Sequence, residues 1–154
     1  MKVSDMYRAT FLAMIASTAL VLAGCETMNS AWDSTKSFFS GSNVTLSGDQ
    51  EVPPVTTPGS GSGTITVKED KSVSGSVTIK GFTAAAAHIH TGAAGRNGPV
   101  IIPLTKSSDG NTWSVPEGKK LTDAQYEAYK AGNLYVNVHS AKYKGGEVRG
   151  QLKP

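Results

Sequence analysis

Thr64-Ile65-Thr66-Val67-Lys68-Glu69-Asp70-Lys71-Ser72-Val73-Ser74-Gly75-Ser76-Val77-Thr78-Ile79 (TITVKEDKSVSGSVTI) changes character only at its centre. Ile65 and Val67 share one face of an extended chain, and beyond the charged Glu69-Asp70-Lys71 break Val73, Val77 and Ile79 do the same. Side chains in a strand alternate between two faces, so two such runs about a polar turn read as a β-hairpin. The pattern continues in both directions. Upstream, Val44 and Leu46 alternate with polar neighbours. Downstream come Ala84 to His90, Pro99 to Leu104 after a Gly-rich loop, and Thr112 to Val115. Leu134, Val136 and Val138 then alternate with Tyr135, Asn137 and His139, and Lys144-Gly145-Gly146 turns into a last strand over Glu147 to Leu152.

One helix interrupts the strands, over Asp123 to Ala131. Thr122 is a good N-cap, Gln125 stands at the capping-box position, Leu121 can staple onto Tyr126, and Gly132 closes the helix. About seven short strands with turn signals between them, and a single helix, predict an all-β domain. Its architecture is an antiparallel Greek-key sandwich or barrel, because parallel α/β folds need a helix between most strands. The stretch Val44 to Pro154 holds about 110 residues, one domain's worth.

The chain ahead of this domain has a different logic. Lys2 and Arg8 outweigh Asp5, and Ala9 to Leu22 then runs without a charge. That apolar run is ~14 residues, short of the ~20 that span a membrane and right for a signal-peptide core. It ends in Leu22-Ala23-Gly24-Cys25, small residues followed at once by the only cysteine of the chain. A cysteine there is the mark of lipoprotein processing, in which the sulfur takes a diacylglyceryl group and the chain is cut before it. Residues 1–24 are therefore expected to be a lipoprotein signal peptide, and Cys25 the lipidated start of a cell-envelope protein on the periplasmic or extracellular side. Two or more acyl chains suffice for stable anchoring to membrane lipid. Residues 25–43 form the tether: Met28, Ala31, Trp32, Thr35, Phe38 and Phe39 recur at helical spacing, facing either the headgroups or a packing partner. Ser40 to Asn43 reads as a flexible break before the domain at 44–154. Glu26, directly behind the lipidated residue, keeps inner- as well as outer-membrane sorting open.

Charge excludes some partners. The chain carries 15 basic and 12 acidic side chains, a net +3, with no block of like charge, which argues against nucleic acid. The lipid takes the one cysteine, so no disulfide holds the domain and its core must do so.

The chain has three histidines. His88 and His90, two apart on a strand, leave the same face, together with Ala84 and Ala86, while Ala85, Ala87 and Ile89 take the other. His139 shares a face with Tyr135 and Asn137, away from the Leu134, Val136 and Val138 side, and so belongs to an outer or edge surface if the core lies on that side. If the two strands are neighbours, three imidazoles converge, a donor set that suits one copper or zinc ion. The competing reading is structural: the rings bond backbone carbonyls or each other and brace the loop Thr91 to Gly98. A ligating imidazole needs an acceptor for its other nitrogen, and Glu51, Asn137 and Glu147 are candidates for that supporting shell. Glu51 precedes Pro53-Pro54, which favours an edge or bulge role. Arg149 alternates with Glu147 and Gln151 on what reads as a solvated face. Gly92 to Gly98 matches no phosphate-loop spacing and reads as a turn. No nucleophile elbow, no zinc-protease helix motif and no catalytic cysteine occurs, so the residues name no reaction.

Four segments carry a resemblance: LSGDQEVPPV (Leu46 to Val55), AAHIHTGAAGRNGPV (Ala86 to Val100), LTDAQYEAYKAGNLYVNVHS (Leu121 to Ser140) and GGEVRGQL (Gly145 to Leu152). In these blocks and in this order the chain resembles the CHRD domain, named after chordin and found in bacterial exported proteins. The resemblance implies an immunoglobulin-like or superoxide-dismutase-like β-fold and an extracytoplasmic binding or structural module, with no settled activity. His-x-His followed by Val-x-Val-His is also similar to part of the copper site of copper–zinc superoxide dismutases. Three histidines and no spare cysteine exclude that two-metal enzyme, and leave a mononuclear site open. Two functions follow as expectations: a membrane-anchored envelope module, with or without one copper or zinc ion and with an unidentified envelope partner, or a mononuclear copper or zinc protein of metal handling or reactive-oxygen defence.

Overall fold

A computed structural model describes residues 41–154. The expected signal peptide, Cys25 and nearly all of the tether lie outside the described residues. Nine strands form: β1 (Ser42–Ser47), β2 (Ser60–Val67), β3 (Val73–Lys80), β4 (Ala84–Thr91), β5 (Val100–Pro103), β6 (Thr105–Lys106), β7 (Thr112–Ser114), β8 (Leu134–Ser140) and β9 (Val148–Leu152). A 3-10 turn at Gly48–Gln50 follows β1, and α1 (Asp123–Lys130) lies between β7 and β8. All pairings are antiparallel, in one sheet of order β5-β4-β8-β9-β1-β2-β3-β7-β6. Its two end strands, β5 and β6, are separated in the chain by Leu104 alone, so the sheet curls into a nearly closed barrel. The neighbours β1–β9, β4–β8 and β3–β7 are far apart in sequence, as Greek-key connections require. Closure of this kind leaves little free edge to pair with other chains.

The hairpin forms with Val67 opposite Val73 and Gly63 opposite Val77. Val73, Val77 and Ile79 are buried, and with Leu46, Ile65, Ile89, Trp113, Leu134, Val136, Val138, Val148 and Leu152 they fill the barrel. The helix is capped as its sequence demands: the Gln125 backbone N–H donates to Thr122 Oγ1, and the Gln125 side chain accepts from the Thr122 N–H. Three details differ from the pattern reading. β1 starts at Ser42, inside the expected break, because Ser42 is buried and its hydroxyl accepts from the Lys153 N–H at 2.9 Å. A bulge between Ala84 and Ala86 turns Ala84 into the core beside Ala87 and Ile89, so Ala84 does not share the histidine face. The third concerns Arg149. It is 1 % exposed, the largest fully buried side chain of the domain, on a face expected to be wet.

Candidate metal centre

The face of β8 that points away from the barrel core carries Tyr135, Asn137 and His139, and it is not bare. Loop 92–98 folds over it. Gln151 Nε2 donates to Gly92 O and Gly132 O, both at 2.8 Å, and Arg149 Nη2 donates to Ala93 O and Arg96 O, both at 3.0 Å. The Gly98 N–H donates to Tyr135 Oη at 3.1 Å, and Asn97 Nδ2 ties the loop to Val52 O at 2.8 Å. Gly98 must be glycine, since a Cβ there would sit 1.7 Å from Thr91 O. The segment read as a turn is thus a cover held by side chains of β8 and β9; it packs on Tyr135, while Asn137 is buried against Glu51 and the turn at Gly145–Gly146.

Register brings the histidines together beside this cover, with His90 buried and His88 and His139 half-buried. Ala86 pairs with His139, His88 with Asn137 and His90 with Tyr135 across β4 and β8. Because the bulge lies before Ala86, His88 and His90 emerge on the covered face beside His139. Ring centroids are 4.9 Å apart for His88 and His139, 5.6 Å for His88 and His90, and 6.2 Å for His90 and His139. One donor nitrogen from each ring lies within 4.8 Å of the others.

The hydrogen bonds fix which nitrogens carry protons. His139 Nδ1–H donates to Lys144 O at 3.0 Å, which leaves Nε2 with its lone pair facing His88 Nδ1, also at 3.0 Å. His90 Nδ1–H donates to Gly98 O at 3.0 Å, which leaves Nε2 as the lone-pair nitrogen. That Nε2 is buried and has no hydrogen-bond partner. Burial pushes all three imidazoles below their ordinary range. The neighbouring rings add to this at His88, and at His90 the Gly98 bond opposes it while His139 and Arg149 assist. His139 Nε2 and His90 Nε2 therefore carry lone pairs, His88 Nδ1–H donates to His139 Nε2, and the three nitrogens lie close enough together to hold one ion once His88 Nδ1 gives up that proton.

The structure places the other candidates around this cluster, hydrogen-bonded elsewhere. The imidazole N–H groups go to the Gly98 and Lys144 carbonyls, whereas Glu51, Asn137 and Glu147 serve other partners. Glu147 Oε1 accepts from Thr57 Oγ1 at 2.6 Å. Asn137 Nδ2 faces Glu51 Oε2 at 3.5 Å and Gly145 O at 3.4 Å. Glu51 is 5 % exposed, so burial pushes its carboxyl up to about 7 although the Arg149 charge pulls it down. Glu51 Oε1 and Asn137 Oδ1 have no partner. Sequence reasoning missed Tyr135, which stacks on His90 at 4.8 Å and 14°, and Arg149, whose guanidinium lies 3.5 Å from the Tyr135 ring centroid on the other side. A usable signal exists in β8 and β9, where polar residues recur on one face of an otherwise apolar strand pair.

A family model described as the CHRD domain matches residues 42–152. No curated protein and no solved structure matches the chain.

Proposed function

The chain belongs to the CHRD domain family, and on that premise we propose that it is a lipid-anchored envelope protein whose domain ligates one copper or zinc ion through His88, His90 and His139. The observation that carries the metal is the lone-pair nitrogen of His90. A buried polar atom without a partner costs free energy, on the order of 1–3 kcal/mol, unless something fills its coordination. Here the unpartnered Nε2 stands among two further imidazole donors, and Gly98 O and Lys144 O hold two of the three rings in the tautomer that ligation needs. A purely structural role for the rings explains the His139 and His88 bonds but leaves that nitrogen unused. The donor set contains no thiolate or carboxylate among the described residues, which suits copper or zinc. For His88 Nδ1 to ligate, the proton it donates to His139 Nε2 would move to His88 Nε2, so that the ring would stay neutral and all three donor nitrogens would be free for one ion.

Copper and zinc titration of the purified chain tests this reading. One equivalent is expected to bind, and His88→Ala and His139→Ala are each expected to weaken binding at least tenfold. Equal affinity in wild type and both variants would remove the site.

The anchor is supported by the sequence around Cys25. Labelled fatty acid is expected to enter the wild-type chain and to be absent from Cys25→Ser, which should leave the membrane fraction. A Cys25→Ser chain that still sediments with membranes and carries label overturns the lipoprotein assignment.

A further inference from the structure

We infer that Arg149 selects the charge of the bound ion, so that the three-histidine centre favours copper(I) over any divalent ion; this rests on the metal reading above. The column His90–Tyr135–Arg149 carries the inference. Tyr135 on β8 is flanked by His90 from β4 on one side and by the guanidinium from β9 on the other. The two stacking distances laid end to end put the guanidinium no more than about 8 Å from the His90 ring, across an aromatic spacer with no room for water.

No carboxylate is hydrogen-bonded to this cation. Arg149 is 1 % exposed, and its acceptors are Asn97 Oδ1, Ala93 O, Arg96 O and Gln151 Oε1, all uncharged. Among the described residues no carboxylate comes within ion-pair distance of it. Glu51 is the acid nearest in effect, and its burial keeps a large share of it protonated near neutrality. The ligands themselves are neutral imidazoles and bring no compensating anion.

A fixed positive charge repels a divalent ion about twice as strongly as a monovalent one at the same place. The cost of stripping water from an ion also climbs steeply with its charge. Both effects act in the same direction at a half-buried, cation-flanked site without anionic donors. Copper is the metal suited to imidazole that has a stable monovalent form, so the ion this geometry prefers is copper(I).

Arg149 is a positioning residue for loop 92–98 as well, and the test must separate charge from contact. The full-length chain is loaded with copper, and its affinities for copper(I) and copper(II) are measured against competing chelators, with the reduction potential as an independent readout. Wild type is expected to hold copper(I) more tightly than copper(II). Arg149→Met, which removes the charge, is expected to lower that ratio about tenfold, a fall of 59 mV for one electron. Arg149→Lys keeps the charge and loses the fork, so it should retain the wild-type ratio even where the loop is looser. Equal changes in Met and Lys variants, or no change in either, would overturn the inference. If Arg149→Met fails to fold, the wild-type ratio decides: tighter copper(II) refutes it. Failure to bind either copper state sinks the site itself, a result distinct from a site that binds both without preference.

Discussion

Alanine at position 146 is expected to cost the domain about 3–5 kcal/mol, the sum of a strained backbone and a collision in a packed interior. Gly146 has φ +136, a conformation that side chains rarely adopt, and a Cβ there would lie 2.5 Å from Asn137 Oδ1 and 2.6 Å from Glu51 Oε1. Those two side chains are buried against the glycine, and both must repack to admit a methyl group. The damage would also reach the histidine cluster. Gly146 N–H donates to Tyr143 O at 3.2 Å, within the turn that presents the Lys144 carbonyl to His139 Nδ1. Shifting that turn frees the ring whose orientation it sets. Gly145 is the natural control, because nothing stands within 4 Å of the position its Cβ would take. Gly145→Ala should change stability by less than about 1 kcal/mol. Urea unfolding of both variants checks the pair, and equal midpoints would mean that the close packing at Gly146 does not exist.

Much of the barrel is legible without coordinates, and the reasons are local. Ile65, Val67, Val73, Val77 and Ile79 declare a hairpin because strand period and turn chemistry act over a few residues. The helix after Thr122 is announced by its own capping box. The Val148–Leu152 strand is equally visible, but its outer face is not. Alternation says that Arg149 and Gln151 point away from Val148 and Leu152; it does not say that loop 92–98 comes back to cover them. Burial of that face depends on contacts more than fifty residues apart in the chain, such as Arg149 with Ala93. The bulge at Ala84–Ala86 is silent for a related reason, since a run of alanines offers no large residue to mark which face is inside.

The candidate site divides along the same line. That His88 and His90 share a face follows from spacing alone, while their meeting with His139 depends on β4 lying beside β8 in a register that sets Ala86 against His139. The acceptors for the N–H groups of His90 and His139 prove to be two backbone carbonyls, at Gly98 and Lys144. Every residue owns a carbonyl, so no side-chain type flags them, whereas Glu51, Asn137 and Glu147 bond to one another's surroundings: Glu147 to Thr57, and Asn137 to Glu51 and Gly145. Those groups nevertheless matter to the site through the turn at 143–147, which Asn137 holds at the Gly145 carbonyl.

Glutamine at position 51 is expected to stabilise the domain by about 3 kcal/mol at pH 8.5 and by almost nothing at pH 4, each interval of one pH unit in a pKa difference being worth about 1.4 kcal/mol. The Glu51 carboxyl moves from an ordinary 4.5 to about 7 because burial disfavours its charge more than Arg149 favours it. The folded state therefore holds the proton more tightly than the unfolded chain does. Its contribution to stability is fully present below about 4.5, shrinks as the pH climbs from there, and is gone above about 7, where a buried carboxylate is carried at a cost. A protonated Oε1 would also offer a donor to Asn137 Oδ1, the other unpartnered oxygen packed on Gly146. Glutamine supplies that donor at every pH and has no charge to bury. The three histidines titrate in both proteins alike, so the difference between the two unfolding free energies isolates position 51. A difference that fails to grow between pH 4 and pH 8.5 would show that the carboxylate is ionised inside the fold without penalty, and that water or a cation reaches it.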